Sequence, residues 1–278
     1  MSNKVWFITG VSGGFGRALA EEVARQGDKV IGTVRQHRQL EEFNAISPGN
    51  TFAYLMDVTN ADGVKATVEA AIKHMGRIDV LVNNAGFGFL GAVEEATIAD
   101  FREVMEANFF GALQVTKAVL PHMRERGSGH ILQMSSAAGF RSTQGFGVYN
   151  ACKFALEGMS EALALEVKPL GIHVIIVEPG PFRTNFAGSS IRAAKQELPA
   201  YEQTARVFKN TILGYAGQQE GDPVKAAQVI VQVVNAENPP LRLPLGSTAI
   251  TAVRKKLEQV EQDVQAWESI ASKTSFDA

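Results

Sequence analysis

Val5-Trp6-Phe7-Ile8-Thr9-Gly10-Val11-Ser12-Gly13-Gly14-Phe15-Gly16 is the stretch on which the reading of this chain turns. It opens as a short β-rich run, Val5–Thr9, breaks into a turn crowded with glycine, and runs on into Arg17–Gln26, where Leu19 and Val23 recur at helical spacing. Strand, glycine turn and helix in that order make a binding place for a dinucleotide pyrophosphate. Glycines let the chain turn tightly and let its backbone approach the phosphates, and the helix N-terminus adds N–H groups and a partial positive charge. The glycines at 10, 14 and 16 do not follow the common G-x-G-x-x-G spacing. Glycines also serve simple turns, so the context on either side carries the argument.

Outward from this turn, β-rich runs recur at Lys29–Val34, Thr51–Met56, Asp79–Val82, His130–Met134, His173–Val177 and Leu241–Leu245. Between most of them lie longer stretches with apolar residues three and four apart, such as Val64, Val68, Ala71 and Met75. Strands alternating with helices predict a parallel sheet of right-handed crossovers, covered on both faces. No linker or low-complexity segment divides residues 1–278, which read as one domain. The alternation lapses over 186–221, read as a substrate-binding insertion, and a helical extension is expected over 247–273. There Val253, Leu257, Val260, Val264, Trp267 and Ile270 recur at about one helical turn, which predicts one amphipathic helix. Such a helix closes the sheet's edge, meets a dimer partner or covers a substrate pocket.

Composition sets the outer bounds. The formal net charge of −2 gives no overall basic field for nucleic acid or anionic lipid. Cys152, the single cysteine, has no partner for an internal disulfide, which suits a reducing compartment. No apolar run approaches the roughly 20 residues that cross a bilayer, and Val5–Ile8 starts too near Met1 for a secretory signal. A soluble, cytoplasmic protein is expected.

Chemistry enters with Tyr149-Asn150-Ala151-Cys152-Lys153, where i,i+4 spacing puts the phenol and the amine on one helix face. A phenol with pKa about 10 is a poor proton relay at neutral pH, and a neighbouring ammonium favours its ionised form. A phenol so tuned gives a proton to a carbonyl oxygen or takes one from an alcohol. Chance alone supplies such a pair often enough that its neighbours decide. Ser135-Ser136-Ala137-Ala138-Gly139 follows one strand, Asn83-Asn84-Ala85-Gly86 a second and Pro179-Gly180 a third. With the glycine turn, four motifs sit at four strand carboxyl ends, the edge where open α/β sheets bind ligands. No His, Cys and carboxylate cluster has metal-ligand spacing, so no catalytic metal is expected.

Together these motifs resemble the short-chain dehydrogenase/reductase family, in its roughly 250-residue branch. The resemblance rests on Thr9–Gly16, Asp57-Val58, Asn83–Gly86, Asn108, Ser136, Tyr149/Lys153 and Pro179-Gly180 with Thr184, in order over about residues 4–185. It implies a doubly wound, Rossmann-type α/β fold with a seven-stranded parallel sheet and a nicotinamide across its strand ends. Tyr149 would be the acid/base, Lys153 would lower its pKa and hold the nicotinamide ribose, and Ser136 would bond the substrate oxygen. Asn108 would anchor a water connecting Lys153 to solvent, or kink the helix expected over Phe101–Arg126, or both. Gly10, Ser12, Gly14, Phe15 and Gly16 would cradle the pyrophosphate. Asp57 and Val58 would flank the adenine, although Asp57 also reads as a helix N-cap. Asn83, Ala85 and Gly86 would contact the cofactor, and Asn83–Gly86 would also stabilise the central sheet. Pro179, Phe182 and Thr184 would lie against the nicotinamide.

NAD enzymes of this kind end the second strand with a carboxylate that binds the adenosine ribose. Val34 stands there and Arg35 follows, so NADP(H) is expected over NAD(H), with Arg35 on the 2′-phosphate. Phe87, Phe89, Phe140, Phe146 and Phe186 suggest an apolar pocket for a hydrophobic ketone, aldehyde or secondary alcohol. The closest likeness is to estradiol- and retinol-type dehydrogenases, loosely in the part that makes the pocket. Two alternatives stand beside this one. A non-catalytic NAD(P)-binding regulator could lose the catalytic quartet, which is complete here; a sugar-nucleotide epimerase or dehydratase normally carries a larger substrate domain than the stretch after residue 185. Helices over Phe101–Arg126 and Tyr149–Pro169 match those through which many members pair, so a homodimer is expected, with a tetramer next.

Overall fold

Nine strands and ten α-helices alternate through the computed structural model, which describes residues 4–276. The strands are β1 (Val5–Ile8), β2 (Lys29–Val34), β3 (Thr51–Leu55), β4 (Val80–Asn83), β5 (Gly88–Leu90), β6 (Gly129–Met134), β7 (Ile172–Pro179), β8 (Ile191–Ala193) and β9 (Arg242–Leu245). The helices are α1 (Gly14–Arg25), α2 (Arg38–Asn44), α3 (Ala61–Met75), α4 (Ile98–Met105), α5 (Gly111–Arg126), α6 (Ala137–Phe140), α7 (Gly147–Val167), α8 (Val207–Gly214), α9 (Pro223–Val234) and α10 (Ser247–Ala271).

Seven strands form one parallel sheet in the order β3-β2-β1-β4-β6-β7-β9. Each expected β-rich run is one of them. The fold is the doubly wound Rossmann type, and strand order reverses between β1 and β4, opening a crevice at their carboxyl ends. Both sheet faces are buried, so the strands read as apolar runs rather than alternating ones. One face packs Leu19 and Val23 of α1 and Ala227 and Ile230 of α9 against Trp6, Ile8 and Val30. The other packs Val64 and Val68 of α3, Val115 and Val119 of α5 and Leu163 of α7 against Phe7, Leu81 and Ile131. Full burial of one such aliphatic or aromatic side chain stabilises the fold by roughly 1.5–3 kcal/mol.

Three departures from the sequence reading bear on the site. The helix expected over Phe101–Arg126 begins at Ile98 behind a capping box, in which Thr97 accepts from the Asp100 amide and the Asp100 carboxylate accepts from the Thr97 amide. It then opens into a π-turn at Glu106–Phe110 before α5 resumes. The unforeseen β5 and β8 pair with each other in parallel, Gly88 opposite Ile191, and tie the segment after β7 back over the crevice. Finally, α10 does not close the sheet's edge along its length. Its first turns bury Ala249 and Ala252 against the body near α6 and β9, but from Leu257 to Ala271 every residue is exposed.

Candidate active site

The glycine turn lies at the carboxyl end of β1, and its geometry explains its composition. Gly10 and Gly14 take φ of 72° and 57°, where L side chains are strained. A Cβ on Gly16 would stand 2.4 Å from the Gly10 carbonyl oxygen, so only glycine lets α1 start this close to the strand. No side chain caps α1 and no acidic residue lies in its first turn, which leaves amide donors and positive dipole for an anion. Asn84 braces the turn by donating from Nδ2 to the carbonyls of Thr9 (2.9 Å) and Gly10 (3.0 Å), while the Asn84 and Ala85 amides donate to Thr9 Oγ1. These features fit a dinucleotide pyrophosphate.

A cavity of about 360 Å³ opens beside this turn. Ser136 comes from the end of β6, where it caps α6 by accepting from the Ala138 amide at 3.1 Å. Tyr149 and Lys153 come from the first turns of α7, one helical turn apart as expected, and both are buried. Ser136 hydrogen-bonds Tyr149, and all three line the cavity. Lys153 Nζ donates to the Met134 carbonyl at 2.7 Å and lies 5.6 Å from the centre of the Tyr149 ring.

Burial dominates the electrostatics of this pair. Burial pushes Tyr149 well above the ordinary phenol range, with the Ser136 hydrogen bond opposing it only in part. Burial also draws Lys153 below its ordinary value. In the protein alone the phenol is held protonated.

Asn108 sits at the centre of the π-turn, against the backbone of Gly86 and Phe87 in the cavity lining. Its Oδ1 accepts from the Phe87 amide (2.9 Å) and its Nδ2 donates to the Phe87 carbonyl (2.7 Å). The helix widens where this side chain claims the neighbouring loop, so the expected distortion is present as a π-turn. Gly86 lies against it, since a Cβ there would meet Asn108 Oδ1 at 2.7 Å.

The aromatic residues divide. Phe87, Phe146 and Phe186 line the cavity, and Phe146 and Phe186 stack obliquely on Tyr149. Phe89 is instead buried with Val104 and Val148 in a satellite core. Phe140 lies under the Arg242 guanidinium, 4.9 Å from ring centre to cation, outside the cavity lining. Phe15 and Phe182 pack together at 5.0 Å beside the turn, with Pro179 and Thr184 completing that wall. The sequence reading missed Asn84, whose place in Asn83-Asn84 was available from strand alternation, and Phe208, Ile212 and Tyr215 in and just after α8. Phe208 and Ile212 show i,i+4 spacing, but nothing local says which cavity they face. Thr248 and Ala252 of α10 join the lining. Among its described lining residues the cavity carries Arg141 and Lys153 and no carboxylate.

The other expected contacts lie away from this cavity. Asn83 is buried in the sheet, its Nδ2 donating to Thr116 Oγ1 and Gln133 Oε1. Val58 is buried against Gly111. Asp57 is not an N-cap: it accepts from the amide and hydroxyl of Thr59, and Asn60 caps α3. The Thr59 amide above all holds the Asp57 carboxyl below the usual range, the Thr59 hydroxyl and the Arg35 charge adding to it. Arg35 is exposed just beyond β2, whereas Val34 packs into the core. Ser12 is exposed on the glycine turn.

Among the described residues no helix is long and apolar enough to cross a membrane, and no three His, Cys, Asp or Glu side chains gather as a metal site. A family model described as short chain dehydrogenase matches residues 4–195. A 3-ketodihydrosphingosine reductase of Bacteroides thetaiotaomicron is 38% identical over 88% of this chain and 89% of its own. Human retinol dehydrogenase 8 is 35% identical over 84% and 79% respectively. The crystal structure of a short-chain dehydrogenase from Streptomyces avermitilis superposes with a TM-score of 0.93 at 42% identity, covering 99% of both chains.

Proposed function

Because the chain belongs to the short-chain dehydrogenase family and is an oxidoreductase of carbonyl and alcohol substrates, we propose that it reduces a hydrophobic ketone or aldehyde with NADPH, Tyr149 acting as the acid. The observation that carries this reading is the meeting of Ser136, Tyr149 and Lys153 on the floor of an aromatic cavity that opens beside the glycine turn. A nicotinamide dinucleotide is the cofactor typical of the family, and when bound it supplies or accepts the hydride.

Gly10, Ser12, Gly14, Phe15 and Gly16 would hold the pyrophosphate on the α1 N-terminus. Asp57 and Val58 would flank the adenine, and Asn83, Ala85 and Gly86 would support the cofactor's middle, Asn83 through the sheet. Pro179, Phe182 and Thr184 would fix the ring face. Arg35, exposed beside the adenosine end, would take the 2′-phosphate.

The hydroxyls of Ser136 and Tyr149 would hold the substrate oxygen between them. As negative charge develops on that oxygen, the Tyr149 O–H gives up its proton. Burial keeps the phenol in its protonated form, the form this step consumes. Lys153 would steady the phenolate left behind and hold the ribose, and a water at the Asn108 turn would return a proton from solvent. Phe87, Phe146 and Phe186, with Phe208 and Ile212 from the 186–221 insertion, would grip an apolar substrate body, and the 247–273 extension would contribute Thr248 and Ala252. Two relatives are named for 3-ketodihydrosphingosine and retinol, both long and largely apolar, in keeping with this lining. We further propose a cytoplasmic homodimer paired through α5, with the π-turn that precedes it, and α7, where Phe110, Phe154 and Leu165 are exposed.

NADPH oxidation over a panel of long-chain ketones, aromatic ketones, aldehydes and sugar nucleotides, with NADH in parallel, tests the proposal. Turnover confined to the apolar carbonyls supports it; turnover of sugar nucleotides, or none with any carbonyl, overturns it.

A further inference from the structure

The outer part of α10 stands off the body, and its sequence has a stricter period than an amphipathic surface helix needs. Ile250, Val253, Leu257, Val260, Val264 and Trp267 follow steps of 3, 4, 3, 4 and 3, the a and d positions of a heptad. Five of the six are exposed and Val253 is half-buried. An isolated helix of this length is marginal in water, and its stability comes from covering such a seam. We propose that α10 pairs with α10 of a second copy of this chain as a short antiparallel coiled coil, a contact separate from the α5 and α7 pairing that would join two such homodimers into a tetramer.

Charge selects both the occupant and the direction. Arg254 and Glu261 hold successive e positions, and Lys256 and Asp263 successive g positions. In an antiparallel pair e faces e and g faces g. With the two-fold axis between Glu258 and Gln259, Ile250 meets Trp267, Val253 meets Val264 and Leu257 meets Val260, each layer occurring twice. That register sets Arg254 against Glu261 and Lys256 against Asp263, also twice, with no like charges opposed. A parallel, in-register pair keeps Lys256 near Glu261 but sets Asp263 against Glu268. Among the described residues none of these charges makes an ion pair within its own chain. The polar face mixes Arg254, Lys255 and Lys256 with Glu258, Glu261, Asp263 and Glu268, so it lacks the net positive charge that draws an amphipathic helix to anionic lipid.

Light scattering on the intact protein gives the test, through mass rather than activity. Leu257→Lys with Val264→Lys should halve the assembly mass while leaving turnover per chain unchanged. Charge provides an independent arm that leaves the apolar seam whole. Arg254→Glu with Lys256→Glu, and separately Glu261→Arg with Asp263→Lys, should each halve the mass, and mixing the two variants should restore it. For direction, Val253→Cys with Val264→Cys should oxidise to a covalently linked pair. Val264→Cys alone should not, because the two Val264 positions lie about 16 Å apart along the antiparallel axis, beyond the roughly 7 Å reach of a disulfide. Unchanged mass in the lysine variant, failure of the mixture to recover, or linkage through Val264→Cys alone overturns the proposal. So does a parent that is monomeric at micromolar concentration, whether or not it sediments with phosphatidylserine vesicles.

Discussion

Ser135 and Ser136 are consecutive at the end of β6, yet their hydroxyls serve different structures. Ser135 Oγ donates to Glu157 Oε1 at 2.5 Å in a buried layer, and Ser136 hydrogen-bonds Tyr149 in the cavity. Alternation of side chains across the strand end separates them. Ser136→Ala should lower kcat with an apolar ketone by about 10–100-fold, for loss of one hydrogen bond of about 1.5–3 kcal/mol to a developing charge. Ser135→Ala should leave kcat within a few-fold and instead lower the thermal midpoint, because Glu157 loses a buried donor. Steady-state kinetics and a melting curve on both variants separate the roles, and an equal kcat loss in both would count against this assignment.

Tyr149→Phe should keep cofactor affinity, measured by fluorescence titration, and lose at least about 10²-fold in turnover, the low end for a positioned acid. Lys153→Met should lose turnover and also weaken cofactor binding. Near-normal reduction by the phenylalanine variant would remove Tyr149 from the chemistry.

Arg35→Ala should erase a preference for NADPH over NADH of one to two orders of magnitude in kcat/KM, since hydrogen bonds to charged groups contribute about 1.5–3 kcal/mol. Building a ribose acceptor by Val34→Asp is the poorer test, because Val34 packs into the core and a carboxylate there would unsettle β2. An unmodified protein that prefers NADH would refute this role for Arg35.

Glu178 should make stability fall with rising pH through the weakly acidic range, against an opposite contribution from His130, whose pKa burial lowers to about 4. Burial first, then the neighbouring Glu157 charge, raise Glu178 from 4.5 to about 7, with Arg242 opposing. Between those two values the folded protein holds a proton that the unfolded chain has released, so each step up in pH favours the unfolded side. Below about 4.5 this contribution is fully present, and above about 7 it is lost. Glu178→Gln should shift the slope of melting temperature against pH upward over that window, and an unchanged slope would assign the dependence elsewhere.

How much of this was legible depended on the range of the interactions. The five inner strands β1, β2, β4, β6 and β7 are buried on both faces, so each announced itself as an apolar run. β5 and β8 did not, because three residues each pair only with one another across a hundred positions of sequence. Ser136, Tyr149 and Lys153 were found from spacing, since a strand end and one helical turn fix them locally. Phe89 and Phe140 were misjudged for the opposite reason. Both stand beside cavity motifs, but a satellite core takes one and Arg242 the other. The shift on Tyr149 was unreadable in direction, because spacing reveals the neighbouring amine and conceals the desolvation.

The cavity's floor and its outer wall are held differently. The floor is the sheet edge; the wall is a run of chain held at its ends by the Ala194 amide on the Leu90 carbonyl at 2.8 Å and the bridge from Gly221 to Phe182, and between them by the Leu198 amide on Glu95 Oε1 at 2.7 Å and Phe208 against Phe146. Among the described residues, what lies between, Phe208 and Ile212 included, makes no hydrogen bond to the Ser136 or Tyr149 hydroxyl and carries no strand of the main sheet. It is therefore a cassette: residues 195–220 could be exchanged for a segment of similar span, changing which molecule is held while the proton donor and its turn of helix remain in register.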